Sequence, residues 1–275
     1  MERSRNLNIE LKPFRVIKSS GGNNRRLYRR LQIEHSALTL AHSYLPDKVP
    51  EVFSFSVDGN GSQIFMERLG LDPNVSFDKV VDLIEGLQTL PIDSRIPVYS
   101  SSDYLKNTKV KLKFLRNQGL LVGLGGGEVV KIRQTYSKLL PYLEPFKMVF
   151  VHGDIQTRHF AVKAGGLAIF DFDQAHFGNE FEDWAFLSIR HPFFSERVAS
   201  YLRQKFADNQ EQSAYLERAF LLMQIDKLLH VYFSRTYQWR GRLFDISAKI
   251  YARNKLRGFV SKAEVVSQSA VLVGK

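Results

Sequence analysis

The chain has 275 residues, 44% hydrophobic and 24% charged, enough for a sizeable core in one two-lobed domain or two small ones. It contains no cysteine, which excludes a disulfide framework, a cysteine nucleophile and a cysteine metal site, and fits a cytoplasmic protein. The formal net charge of +11 directs attention to anionic partners (nucleotide, nucleic acid or an anionic surface) and weighs against a polycationic substrate. The opening MERSRNLNIELK lacks the apolar centre of a signal peptide, and no run reaches the ~18 apolar residues of a membrane span, so none is expected.

In chain order, Ile9 to Lys18 is rich in strand formers, with Pro13 at an edge or kink and Phe14 to Lys18 as a strand that ends on a lysine. Ser19 to Asn24, SSGGNN, reads as a loop. Arg25 to Tyr44 reads as a helix, since Leu27, Leu31, Ala37, Leu38 and Ala41 recur at helical spacing. Glu34 lies within it, and Arg25, Arg26, Arg29 and Arg30 form a basic patch at its start, read as a solvated face. Val49 to Val57 and Gln63 to Met66 make a hairpin about the turn Asp58-Gly59-Asn60-Gly61.

Phe77 to Leu90 is an amphipathic helix, Pro91 to Asp103 a loop, and Tyr104 to Gln118 a strongly basic helix. The run Gly123-Leu124-Gly125-Gly126-Gly127 follows no clear strand and has no phosphate-loop lysine, so it reads as a flexible connection to a helix over Glu128 to Leu143. Beyond Ala185 the chain is helical, over Ser195 to Ala207, Gln210 to Phe233 and Ile246 to Lys255. Its tail from Arg235 onward is basic and reads as a solvated face.

The most informative stretch is Val151 to Asp173, VHGDIQTRHFAVKAGGLAIFDFD. Met148 to Val151 is a short apolar strand broken by His152-Gly153-Asp154. Phe160 to Val162 and Leu167 to Phe170 are two further apolar runs joined by Ala164-Gly165-Gly166, a hairpin. This order sets Asp154 at one end of a loop, His159 near the other and Asp171 just past the returning strand. Two carboxylates and an imidazole converging on one spot suit phosphoryl transfer. One carboxylate orients the attacking hydroxyl, and another holds the Mg²⁺ that neutralises phosphate oxygens.

His152-Gly153-Asp154, followed by the hairpin and Asp171-Phe172-Asp173, resembles the aminoglycoside phosphotransferase and choline kinase superfamily. Gly178 to Ala185, GNEFEDWA, is similar to that family's G-D-P-x-x-D-L-A segment. The resemblance implies an α+β, two-lobed, protein-kinase-like fold. A small sheet-plus-helix lobe would span about residues 1–67, and a mostly helical lobe 68–275. It implies ATP and Mg²⁺ as cofactors and a small-molecule hydroxyl as acceptor. Asp154 would be the catalytic base; Asp171, with His159 and Asp173, the metal shell; His152 and Asp183 structural support for the loop. Lys18 would hold phosphates and be steered by Glu34. The backbone of Glu67 and Arg68, in the hinge Met66 to Gly70, would meet the adenine edge.

Two features depart from the family pattern. His159 stands where an Asn is usual, and imidazole nitrogen suits later transition metals better than Mg²⁺. No glycine occurs in residues 1–18, so a phosphate-covering glycine loop is missing, shortened or built without glycine. Both motivate an alternative, a nucleotide-binding pseudokinase or regulatory protein. The net charge motivates a third, a basic nucleic-acid-binding module, although no nucleic-acid motif is present.

Overall fold

In a computed structural model, Asn8–Leu11 (β1) turns through Lys12, Pro13 and Phe14 and pairs antiparallel with Arg15–Gly21 (β2). The structure describes residues 8–21, 25–58, 61–71, 75–117, 123–238 and 246–273. Pro13 falls in the turn, where its missing N–H and fixed φ do no harm to a ladder. The second strand runs three residues past Lys18, into what the sequence suggests is loop. The reason is tertiary. Ser19, Ser20 and Gly21 pair with Gln63, Ser62 and Gly61, and the Ser20 and Ser62 hydroxyls lie 2.8 Å apart. A neighbouring strand overrides the local preference for a turn. Residues 22–24 of that expected loop lie outside the described residues.

Arg25–Tyr44 (α1) follows, with Leu27, Leu31, Glu34, Leu38 and Ala41 buried at the spacing of one helix face. Glu34 is the one acid on that otherwise apolar stripe. Val52–Asp58 (β3) and Gly61–Glu67 (β4) complete a four-stranded antiparallel sheet of order β1-β2-β4-β3. Gly59 and Asn60 of the expected turn are outside the described residues. Gly70–Leu71 (β5) then leads to Phe77–Gln88 (α2), which starts at the N-cap Ser76 and buries Val80, Leu83, Ile84 and Leu87.

Met148–Val151 (β6), Phe160–Lys163 (β7), Gly166–Ile169 (β8) and His176–Asn179 (β9) form two small sheets, β5-β7-β8 and β6-β9. The β7–β8 hairpin turns at Ala164 (φ 50°) and Gly165 (φ 78°), as the glycine turn predicts. These elements together with residues 8–98 make one compact unit, Met1–Val98 with Met148–Asp183. The expected lobe boundary after Glu67 falls inside it.

The second unit, Tyr99–Lys147 with Trp184–Lys275, is helical among its described residues. It contains Ser101–Arg116 (α3), Gly126–Leu139 (α4), most of Glu182–Arg190 (α5), Pro192–Lys205 (α6), Gln210–Gln238 (α7) and Ile246–Val273 (α8). α3 begins three residues before the expected Tyr104, because Asp103 accepts from the Ser100 amide at 2.9 Å and closes a capping box. Gly126 and Gly127 belong to the first turn of α4 rather than to a loop, with the Gly125 amide held by Glu128 at 2.8 Å. α8 runs well past the expected Lys255. Ala252, Leu256, Val260 and Ala263 are buried along one face, and no proline interrupts the helix. Its cations do not make a purely solvated face. Arg253 and Arg257 bond Glu128, and Lys262 pairs with Glu217 at 3.4 Å. Arg240 and Arg242 lie outside the described residues.

Candidate active site

The site lies wholly in the first unit and is built on β2, α1 and the β6–β8 segment. Lys18, in mid-strand on β2, is 5% exposed and donates to Glu34 Oε1 at 2.5 Å and Asp171 Oδ1 at 2.6 Å. Burial alone would lower the Lys18 pKa, but the two carboxylates outweigh it and raise it, so the ammonium stays charged. Burial pushes Glu34 up, while Lys18 pulls it back. Burial would likewise raise Asp171, yet the Lys18 ammonium beside it holds it down, to about 2. Asp171 is also a non-glycine residue at positive φ (72°), a conformation that costs energy and concentrates at functional positions.

The loop after β6 is fixed from below. Asp183 accepts the His152 amide at 2.8 Å and the Gly153 amide at 2.9 Å, one on each carboxylate oxygen. Gly153 has φ +83°, and a Cβ there would come within 2.5 Å of the Gln174 carbonyl, so the middle residue of His-Gly-Asp must be glycine. The His152 ring is fully buried and accepts the Asp154 amide at Nδ1 (3.3 Å), which leaves Nε2 to donate to the Phe170 carbonyl at 3.1 Å. Burial depresses its pKa to about 3, so it is neutral. Asp154 is partly exposed; Gln156 donates to its Oδ1, and Arg158 reaches within 4.0 Å of its Oδ2.

His159 is 3% exposed. Its Nδ1 lies 2.8 Å from the Asp154 carbonyl oxygen and its Nε2 3.2 Å from Asp171 Oδ2. Burial lowers its pKa against the pull of Asp171 and Asp154. One ligand atom from each of Asp154, His159 and Asp171 falls within 4.8 Å of the others. Two carboxylates and an imidazole this close form the donor set of a divalent cation, whose charge relieves the repulsion between the acids.

Asp173 does not join that group. It is hydrogen-bonded by Arg30 of α1 and by Gln174 at 3.1 Å. Arg30 belongs to the patch that the sequence presents as a solvated basic face; i, i+4 spacing from Glu34 was the available signal that it faces the site. Glu67 pairs with Lys163 at 2.7 Å. The amides of Glu67 and Arg68 donate to the carbonyls of Glu51 (2.8 Å) and Phe14 (3.2 Å), so both are engaged within the protein. Sequence reasoning also passed over Gln156 and Arg158, which touch Asp154 and His159.

The buried strand lysine steered by a helix glutamate, with acids after β6 and β8, defines the kinase-like fold. The chain belongs to the phosphotransferase enzyme family (APH), whose model matches residues 19–221. Solved structures agree on the fold. The GDP complex of a mutant aminoglycoside 2'-phosphotransferase IIIa has a TM-score of 0.66 at 13% identity, over 97% of this chain and 92% of that one. Choline kinase LicA from Streptococcus pneumoniae has a TM-score of 0.63 at 13% identity, over 95% and 92%. A thermostable mutant of aminoglycoside phosphotransferase APH(4)-Ia, in ternary complex with AMP-PNP and hygromycin B, has a TM-score of 0.60 at 13% identity, over 94% and 93%. No curated protein matches the chain significantly.

Proposed function

We propose that this phosphotransferase moves the γ-phosphoryl group of a nucleoside triphosphate, ATP in the simplest case, to a hydroxyl of a small molecule. The observation that carries the reading is Lys18, held between Glu34 and Asp171 with Asp154 and His159 alongside. Fold neighbours in complex with GDP and with AMP-PNP support nucleotide use.

Lys18 presents a fixed ammonium to the phosphates, and Glu34 keeps it from swinging away. Asp154 orients the acceptor hydroxyl and takes its proton; Gln156 occupies Oδ1, so Oδ2 is the oxygen that faces the acceptor. Asp171 and His159, with Asp154 near, are the residues that would hold a divalent cation. Such an ion, when bound, neutralises charge on the phosphate oxygens. Asp183 and His152 keep the loop rigid, and Asp173 acts through Arg30 rather than as a ligand. The protein's excess positive charge fits an anionic or neutral acceptor better than a polycation.

Asp154→Ala is expected to lower turnover by at least a hundredfold, about the value of a positioned base, while the melting shift produced by ATP persists. Unchanged turnover would reject the assignment. A second reading, a nucleotide-binding pseudokinase, draws on the direct Lys18–Asp171 contact, in which each charge is satisfied by the other. Metal-dependent transfer from ATP to any acceptor refutes it.

A further inference from the structure

We infer that His159 binds the site's metal directly through Nε2, and that the site prefers a first-row transition ion of the Mn²⁺ kind over Mg²⁺. The inference rests on the phosphotransferase reading for the location of the metal, but its geometry stands apart from turnover.

Hydrogen bonds at both ring nitrogens fix the tautomer. The Arg158 guanidinium Nε lies 3.1 Å from His159 Nε2, and a guanidinium only donates, so Nε2 carries a lone pair. The proton therefore sits on Nδ1 and is donated to the Asp154 carbonyl oxygen at 2.8 Å. A metal-binding histidine shows this arrangement, with one nitrogen anchored to a backbone carbonyl and the other free to coordinate.

Nε2 and Asp171 Oδ2 then face each other at 3.2 Å as two acceptors without a shared proton. That contact is unfavourable alone. It is also about the separation of two neighbouring ligands on one ion, since bonds of roughly 2.1 Å at right angles put their ends about 3 Å apart. The ring is 3% exposed, and its neighbours His152 and Phe170 lie with ring centroids at 6.0 and 5.9 Å. It is poorly placed to rotate aside and leave a water in its stead. Arg158, by contrast, is 71% exposed at its side chain and is free to withdraw when an ion enters.

The preference follows from donor chemistry. Mg²⁺ takes oxygen ligands in a tight octahedron and loses little by refusing nitrogen, whereas imidazole strengthens binding of Mn²⁺ and the later divalent ions. An asparagine at 159 would supply an oxygen and restore the magnesium preference.

The test uses the full chain, without nucleotide and again with ADP, titrated with MnCl₂ or MgCl₂. We expect Mn²⁺ to bind at least tenfold more tightly than Mg²⁺. We also expect pulsed electron paramagnetic resonance of the Mn²⁺ complex to show an imidazole ¹⁴N coupling. His159→Asn should remove the coupling and bring the two affinities within about threefold. His159→Gln serves as a second oxygen-bearing variant. Equal affinities in the unaltered protein, an ion bound without nitrogen coupling, or a coupling that survives both substitutions would each overturn the proposal. A protein that shows the coupling but transfers no phosphoryl group keeps this inference and loses the enzymatic one; transfer without coupling does the reverse.

Discussion

At the residue scale the decisive group is Lys18, whose ammonium neutralises two acids at once and is itself buried. Removing it leaves Glu34 enclosed without its hydrogen-bonded counter-charge. Lys18→Met is therefore expected to cost about 3–5 kcal/mol of stability in urea unfolding, the value for a broken buried pair. The double variant with Glu34→Gln should recover part of that, because the orphaned charge goes too. Strict additivity of the two substitutions would show that the pair is not coupled. Gly153 makes a second residue-scale case. Gly153→Ala combines a Cβ 2.5 Å from backbone with a φ of +83°, and should lower stability by about 2 kcal/mol or more. A neutral effect in thermal unfolding would mean that the loop can relax away from Gln174.

At the element scale, α8 is tied to α4 through Glu128. The acid receives Arg257 Nε at 2.5 Å, Arg253 Nη2 at 3.2 Å and the Gly125 amide at 2.8 Å. Burial opposes its ionisation, but these three donors hold its pKa to about 2. The attachment is a charged clasp over an apolar seam of Ala252, Leu256, Val260 and Ala263. Glu128→Gln keeps the shape and loses the charge. It should lower stability by about 1 kcal/mol, since Arg257 is half exposed and its share is screened. Hydrogen exchange should accelerate in α8 before it does in α7. Uniform exchange across both helices would contradict the clasp.

At the scale of the whole molecule, pH should act through the buried His152. Its folded pKa is depressed to about 3, against about 6.5 in an unfolded chain. A depressed value means that the contribution is complete above the unfolded pKa and is lost as pH falls toward the folded one. From pH 7 to pH 5 the loss from this one ring is about 2 kcal/mol, by linkage. His152→Gln, which has no charge to gain, should flatten that part of the melting-temperature profile. An unchanged slope would place the acid sensitivity elsewhere.

How much of this was legible beforehand depends on what kind of signal each feature leaves. Helix α1 and the β7–β8 hairpin were readable because apolar spacing and turn chemistry are local. The relation of Asp154, His159 and Asp171 was readable because a hairpin of known length brings its two ends together. The extension of β2 to Gly21 was not, because it depends on a partner strand forty residues or more away. Arg30 reads as part of a solvated face for the same reason: its partner Asp173 is remote in sequence, and four arginines within six residues look like one. Asp173 was expected among the metal ligands because spacing alone does not tell which of two nearby acids an arginine will claim. His159 was visible as a departure from pattern, but its tautomer needed coordinates.

The most direct test of the central claim is the transfer of a labelled γ-phosphate from ATP into a mixture of small-molecule alcohols and sugars, with Mn²⁺ and with Mg²⁺. The unaltered chain should place label on at least one hydroxyl compound, and Asp154→Asn and Asp171→Asn should not. Label transfer that survives both substitutions would contradict the assignment of Asp154 and Asp171, and with it the reading of this site.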